Sequence, residues 1–141
     1  MIAHRRLNRT RITAAEYYQI SAAVGPSELE RGEVVRLMAG GLGHSGVSAN
    51  ITILLGSWAR ETKRGRVYTN EAGVITESDP DTVRGVDVAY FSYKRLPRGK
   101  EPEGFTRTPP NLAVEIVGKG QGWNKMVEKA GEYLRMGVDR V

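Results

Sequence analysis

Cysteine is absent from the 141 residues. Disulfide scaffolds, zinc knuckles, thiol nucleophiles and iron–sulfur clusters go with it. Long apolar runs are absent too. None approaches the roughly 18 residues that span a bilayer, which excludes a transmembrane helix. The basic segment from Met1 to Arg11 is not followed by an apolar core, so it does not read as a secretory signal. A reducing, cytoplasmic setting with no membrane partner is the expectation. Repeats and low-complexity tracts are missing, which excludes solenoids and propellers. Negative charge is missing at one place in particular: no acid precedes Glu16.

Glycine, by contrast, is plentiful. Seventeen residues of 141 is well above the usual level of about 7%, and predicts many turns. The net charge is +5, from 21 basic and 16 acidic residues. Arg5, Arg6, Arg9 and Arg11 supply most of that excess, leaving 17 basic against 16 acidic residues in the remainder. The reading is therefore a basic arm over residues 1–12 and one domain over residues 13–141. The arm is the part suited to the phosphates of a nucleic acid. The body is not broadly basic.

Periodicity and turn signals order the domain. Thr13-Ala14-Ala15-Glu16 is a capping box that opens a helix over 14–23, stopped at Gly25-Pro26. Glu28 to Met38 predicts two short strands around Arg31-Gly32. Val47, Ile51, Leu54, Leu55 and Trp58 share one face of a long helix, with Gly65 at its C′ position. Two strands, 66–69 and 73–76, are predicted around a turn at Asn70 to Ala72. Glu77 to Arg84 reads as polar loop and 86–91 as a strand. Residues 96–110, with four prolines, read as an excursion without regular structure. A strand over 112–117 and a helix over 124–136 follow. Trp123, Met126, Val127, Ala130, Tyr133 and Leu134 form the predicted apolar side of that helix. Residues 138–141 begin a strand. The class is α/β, with a mixed central β-sheet flanked by helices.

Gly41-Leu42-Gly43-His44-Ser45-Gly46 matches the dinucleotide fingerprint G-x-G-x-x-G. The strand before it is short, carries Arg36 and belongs to a hairpin, which disfavours that reading. His44 stands where this loop meets the helix, near enough to approach a ligand. The sharper signal is Asp87 and Glu115. Each interrupts an apolar strand, and an unpaired buried carboxylate costs several kcal/mol. Alternation allows both acids to face solvent instead. If the strands are neighbours, the two carboxylates repel, and Mg²⁺ or Mn²⁺ with hard oxygen ligands would relieve that repulsion. Lys129, one turn before Tyr133 on the last helix, could supply a positive charge beside them.

Taken in order, these segments resemble a known family. Glu28-Leu29-Glu30-Arg31-Gly32-Glu33, His44, Asp87, Pro109 to Val117 around Glu115, and Lys129 to Val138 are similar to motifs of the bacterial putative restriction endonucleases, within the PD-(D/E)XK nuclease superfamily. The resemblance covers residues 14–141. It implies a restriction-endonuclease-like sheet with Asp87 and Glu115 as metal ligands for Mg²⁺ or Mn²⁺ and Glu28 as an outer acid. It also implies that Lys129, followed by Tyr133, replaces the usual lysine two after the glutamate, a position held here by Val117. The implied activity is hydrolysis of nucleic acid, DNA before RNA, with a homodimer as one assembly. The alternative is a catalytically silent module that binds nucleic acid. Val86 stands where the family often has proline, and Lys125 where it often has an acid. The family's final strand is expected to be absent, or a stub ending at Val141.

Overall fold

A computed structural model describes residues 11–141. The first helix is α1 (Ala14–Val24). It is closed by the expected capping box: Glu16 N–H donates to Thr13 Oγ1 at 3.2 Å and Thr13 N–H to Glu16 Oε2 at 2.8 Å. Next come β1 (Ser27–Glu30), β2 (Glu33–Arg36) and α2 (Leu42–Thr62). Then follow β3 (Gly65–Glu77), β4 (Thr82–Ser92), β5 (Leu112–Val114) and α3 (Trp123–Met136).

All five strands pair antiparallel, in the order β2-β1-β4-β3, with β5 also on β4. Parallel pairing is confined to two single bridges, Val74 with Thr106 and Leu112 with Arg140. Helices pack on this sheet, α2 against β3 and β4 and α3 against β3. The fold is thus the α/β sheet flanked by helices that the sequence implies. The C-terminal strand, expected to be absent or a stub, is the single bridge of Arg140 to Leu112, with Ala113 N–H donating to Arg140 O at 3.0 Å.

One feature of the pairing positions everything functional. β3 runs along one edge of β4 for its full length. The other edge is shared end to end. β1 meets it at Val83, and β5 meets it from Val88 to Tyr90. Between them, on this second edge, residues 84–87 have no strand partner, so the donors that face it must be satisfied by other groups. The sheet is split there, and side chains from both flanking strands enter the split.

Four sequence expectations change. Residues 66–76 are not a hairpin. β3 is continuous, and Asn70 and Glu71, with φ of 60° and 58°, form a bulge opposite Asp87. The polar loop shrinks, because β4 begins at Thr82 and encloses Arg84. The excursion over 96–110 is anchored through Thr106, which exchanges hydrogen bonds with Gly73 O and Ile75 N–H. Gly65 is not the helix cap. Lys63 takes that αL position, while Gly65 opens β3 packed against Tyr90 and Phe91.

The helix faces also differ. On α2 the inward residues include His44, Ile51, Leu55 and Ala59, whereas Val47 and Leu54 are exposed. On α3 the prediction holds for Tyr133, which is buried, and for Met126 and Ala130, which are half-buried, and fails elsewhere. Trp123, Val127 and Leu134 are 72%, 54% and 55% exposed, while Lys129, Glu132 and Tyr133 are buried. The reason is the split in the sheet, which offers charged partners to that face.

Phe105 stacks on Tyr17 with centroids 5.4 Å apart and meets Tyr18 edge-on at 5.3 Å. Its ring lies over Gly73, where a Cβ would overlap it. Gly73→Ala should therefore destabilise the fold by about 1–3 kcal/mol through overpacking. Urea unfolding checks this, and an unchanged midpoint would show that the ring moves freely.

Candidate active site

The split is filled by charge. Arg84, on β4, is 1% exposed. Its Nε and Nη2 donate to Glu132 of α3 at 2.7 and 2.6 Å, a bidentate pair. Its Nη1 donates to Glu28 Oε2 at 3.0 Å and Glu30 Oε1 at 2.8 Å. This single guanidinium therefore ties β1, β4 and α3 together. Thr76 Oγ1 donates to Glu132 Oε2 and joins β3 to the same network. Lys125 adds a cation on Glu30.

Glu28 has the opposite side of its carboxylate free for a second task. Its Oε1 accepts from Lys129 Nζ at 2.9 Å and from the unpaired Gly85 N–H at 3.2 Å. The outer acid of the sequence reading is thus a clamp, which orients the lysine and satisfies a backbone donor in the split.

Asp87 and Glu115 stand on the far side of the split. The β4–β5 register pairs Val88 with Val114. Asp87 and Glu115 each lie one residue beyond that last pair, close enough for the Asp87 charge to act on the Glu115 carboxyl. Ile116 N–H donates to Asp87 Oδ2 at 2.8 Å, and Tyr133 O–H donates to Glu115 Oε1. Among the described residues Asp87 Oδ1 and Glu115 Oε2 take no hydrogen bond, yet no buried polar side-chain atom lacks a partner. Both oxygens are therefore open to solvent. His44, at the start of α2, places Nε2 at 3.5 Å from Asp87 Oδ2.

Burial pushes the Glu115 carboxyl up to about 8. Lys129 and the Tyr133 hydroxyl oppose the shift, and the charges of Asp87 and Glu28 add to it. The Tyr133 phenol is raised by burial and by the Glu115 charge. Glu71 is raised as well, by burial and then by Glu28 and Asp87. Perturbed carboxyls gathered at an opening are the electrostatic signature of a reactive site.

The structure thus brings together Asp87, Glu115, Lys129, Glu28, His44 and Tyr133. Arg5, Arg6 and Arg9 lie outside the described residues. Arg11 is exposed and lines a pocket with Arg31, Arg84 and five glutamates, among them Glu30 and Glu128. Sequence reasoning missed Glu71, Arg84 and Glu132. Glu71 reaches the site only because the bulge turns it there; a Cβ on Gly85 would stand 2.7 Å from the Glu71 Cβ. Asn70, tolerant of αL, was the available signal.

The donor set suits a hard cation in one specific way. The unbonded carboxylate oxygens of Asp87 and Glu115 are hard donors of the kind Mg²⁺ takes, commonly one or two carboxylates with water and substrate phosphate completing its shell. Among the described residues no group of three or more His, Cys, Asp or Glu is arranged so that it could hold a metal ion.

Two measurements test this electrostatic account. Arg84→Ala leaves three glutamates facing one another and should cost about 3–5 kcal/mol in urea unfolding. For Glu115 the folded pKa of about 8 exceeds the ordinary 4.5. The native state then holds the extra proton, so its stabilising effect is full below about pH 4.5 and fades as pH rises through 8. Without divalent cations, Glu115→Gln should gain stability relative to wild type between pH 5 and about 8.5. A pH-independent difference would place the Glu115 carboxyl at its ordinary value.

Comparison with known proteins bears on the family and the fold. The chain matches the model of the Uma2 family, described as putative restriction endonuclease, over residues 14–141. Among solved structures it is similar to a putative nuclease belonging to DUF820 from Anabaena variabilis. The TM-score is 0.73 at 20% identity, covering 90% of this chain and 70% of that one. At that identity the likeness establishes the fold. No curated protein matches the chain.

Proposed function

The chain belongs to the putative restriction endonuclease family, and we propose that it hydrolyses phosphodiester bonds of nucleic acid, DNA first, with a divalent cation. The observation that carries this reading is the pair Asp87 and Glu115, each with one oxygen held and one open, beside a lysine clamped by Glu28.

Asp87 Oδ1 and Glu115 Oε2 are the atoms that would hold Mg²⁺ or Mn²⁺. When bound, such an ion supplies Lewis acidity toward a phosphoryl oxygen and acidifies a coordinated water. The protein's own residues do the rest. Ile116 N–H and Tyr133 O–H each engage one carboxylate oxygen and so fix the direction of the other. Lys129 Nζ, anchored on Glu28 Oε1, holds positive charge near Glu115. There it offsets negative charge developing on the phosphoryl oxygens. Lys125 is drawn away to Glu30, which leaves Lys129 as the amine of the site. His44 is the group placed to exchange a proton at the mouth.

Cation binding requires Glu115 to lose its proton, so affinity should rise with pH up to about 8. The test joins two readouts. Mn²⁺ should raise the melting temperature of wild type more at pH 8.5 than at pH 6.5, and Asp87→Asn should abolish the rise. Plasmid DNA should be nicked with Mn²⁺, and Lys129→Ala should slow nicking by about 10²–10³. Equal melting shifts in wild type and Asp87→Asn sink the cation site. Equal nicking rates sink the role of Lys129.

A further inference from the structure

Beyond the acidic split, the cations of the body are not evenly spread. Of the 17 basic residues after Arg11, eight fall in two short segments: Arg60, Lys63, Arg64 and Arg66, then Lys94, Arg95, Arg98 and Lys100. The segments lie far apart in sequence and meet in the fold, where Tyr93 N–H donates to Arg64 O at 2.9 Å. Between them opens a groove of ≈ 950 Å³ under the C-terminal half of α2, lined by Arg60, Lys63, Arg66, Tyr93 and Arg98. Arg66 is paired with Glu101 at 2.9 Å. Arg60, Lys63 and Arg98 have no ion-pair partner among the described residues, and all three are exposed. The Arg98 guanidinium lies 4.5 Å from the centre of the Tyr93 ring, which limits where that charge can go.

The groove is joined to the site. A second hollow, of ≈ 530 Å³, contains His44, Glu71 and Asp87, and the two hollows share Thr52 and Ile53. The two hollows are therefore neighbours along α2, the acidic one toward its N-terminal end and the basic one toward its C-terminal end. Arg66 lies three residues along β3 from Thr69, about 10 Å. Arg60 lies 16 residues along α2 from His44, about 24 Å.

We propose that this basic groove is a binding track for the phosphate backbone of a nucleic acid strand whose scissile phosphate sits at Asp87 and Glu115. The position of the scissile bond rests on the hydrolytic reading above; the phosphate track itself does not. At about 3.4 Å per nucleotide along a duplex strand, the cations take phosphates about three to seven nucleotides from the cut. The acidic split repels a polyanion, so affinity has to come from charge placed at this kind of distance.

The test is fluorescence anisotropy with a labelled duplex of about 20 base pairs, and the matching single strand, in EDTA so that nothing is cut. Three lost phosphate contacts should lower the slope of log K against log salt by about 2.7 for duplex or about 2.1 for single strand. That is the expectation for the triple variant Arg60→Ala, Lys63→Ala, Arg98→Ala. A control triple variant, Arg36→Ala, Arg107→Ala, Arg135→Ala, removes the same charge from exposed positions away from the groove and should change the slope by less than 1. The charge reversal Lys63→Glu, Arg98→Glu guards against a local repacking artefact and should weaken binding further. An unchanged slope in the groove variant, an equal loss in the control, or no binding by wild type overturns the proposal. If wild type cleaves with Mn²⁺ in those cases, the hydrolytic reading stands without the groove. If wild type never cleaves but the groove variant alone loses slope, the hydrolytic reading falls and the track remains.

Discussion

The structure turns on one buried guanidinium. Arg84 lies in the strand with most neighbours, and its donors reach Glu28 and Glu30 on one side and Glu132 on the other. Arginine is the residue suited to this, because its planar fork can bind one carboxylate bidentately and still offer a donor elsewhere. A buried ion network of this kind is poor evidence for stability, since apolar residues of similar volume often do as well. What it confers is position. β1 touches β4 by backbone pairing at Leu29 and Val83 alone, so the docking angle of β1 depends on side chains. Glu28 depends on that angle, and Lys129 depends on Glu28.

Charge balance explains why the region is poised for a cation. Six carboxylates crowd the split and its rim: Glu28, Glu30, Glu71, Asp87, Glu115 and Glu132. Three cations answer them, Arg84, Lys125 and Lys129. The deficit is not shared evenly. Glu30 is held below the usual carboxylate range by Lys125 and Arg84, despite partial burial. Glu71 and Glu115 are pushed up. Arg84 and its partners thus saturate the inner half of the network, and the unmet negative charge is displaced toward the open oxygens of Asp87 and Glu115. A carboxyl held neutral chiefly by burial ionises when a divalent cation arrives.

Legibility in the sequence followed the range of the interaction. The capping box of α1 involves residues three apart and reads directly. Asp87 and Glu115 were visible because a carboxylate inside an apolar strand breaks a local pattern. Arg84 was hidden by the same logic: flanked by Asp79, Asp81 and Gly85 it looked like loop, whereas pairing with Val74 of β3 makes it strand and Glu28 and Glu132, about 50 residues away on either side, let its charge be buried. The inward face of α3 was misread because hydrophobic periodicity assumes an apolar partner, and this helix meets Arg84 and Glu28 instead. The bulge at Asn70 and Glu71 resembled a hairpin turn, since both need the αL region that Asn tolerates. The clustering of cations at residues 60–66 and 94–100 was lost in an average charge near zero.

The two charge patterns on α2 then fit one another physically. An acidic site that gathers a divalent ion repels the phosphates flanking the scissile one, and at short range that repulsion is not fully screened by salt. Adding cations to the split would cure the repulsion and also displace the metal. Separating the functions along a helix avoids this conflict. Arg60 and Lys63 stand about 24 Å or more from His44, beyond a Debye length of roughly 8 Å at physiological salt. They can therefore hold a polyanion without competing for Asp87 and Glu115. Burial does the opposite at Lys129, whose single positive charge is kept 2.9 Å from Glu28. In the hydrolysis proposed above it would act on the reacting phosphate, while Glu28 largely neutralises it toward everything else.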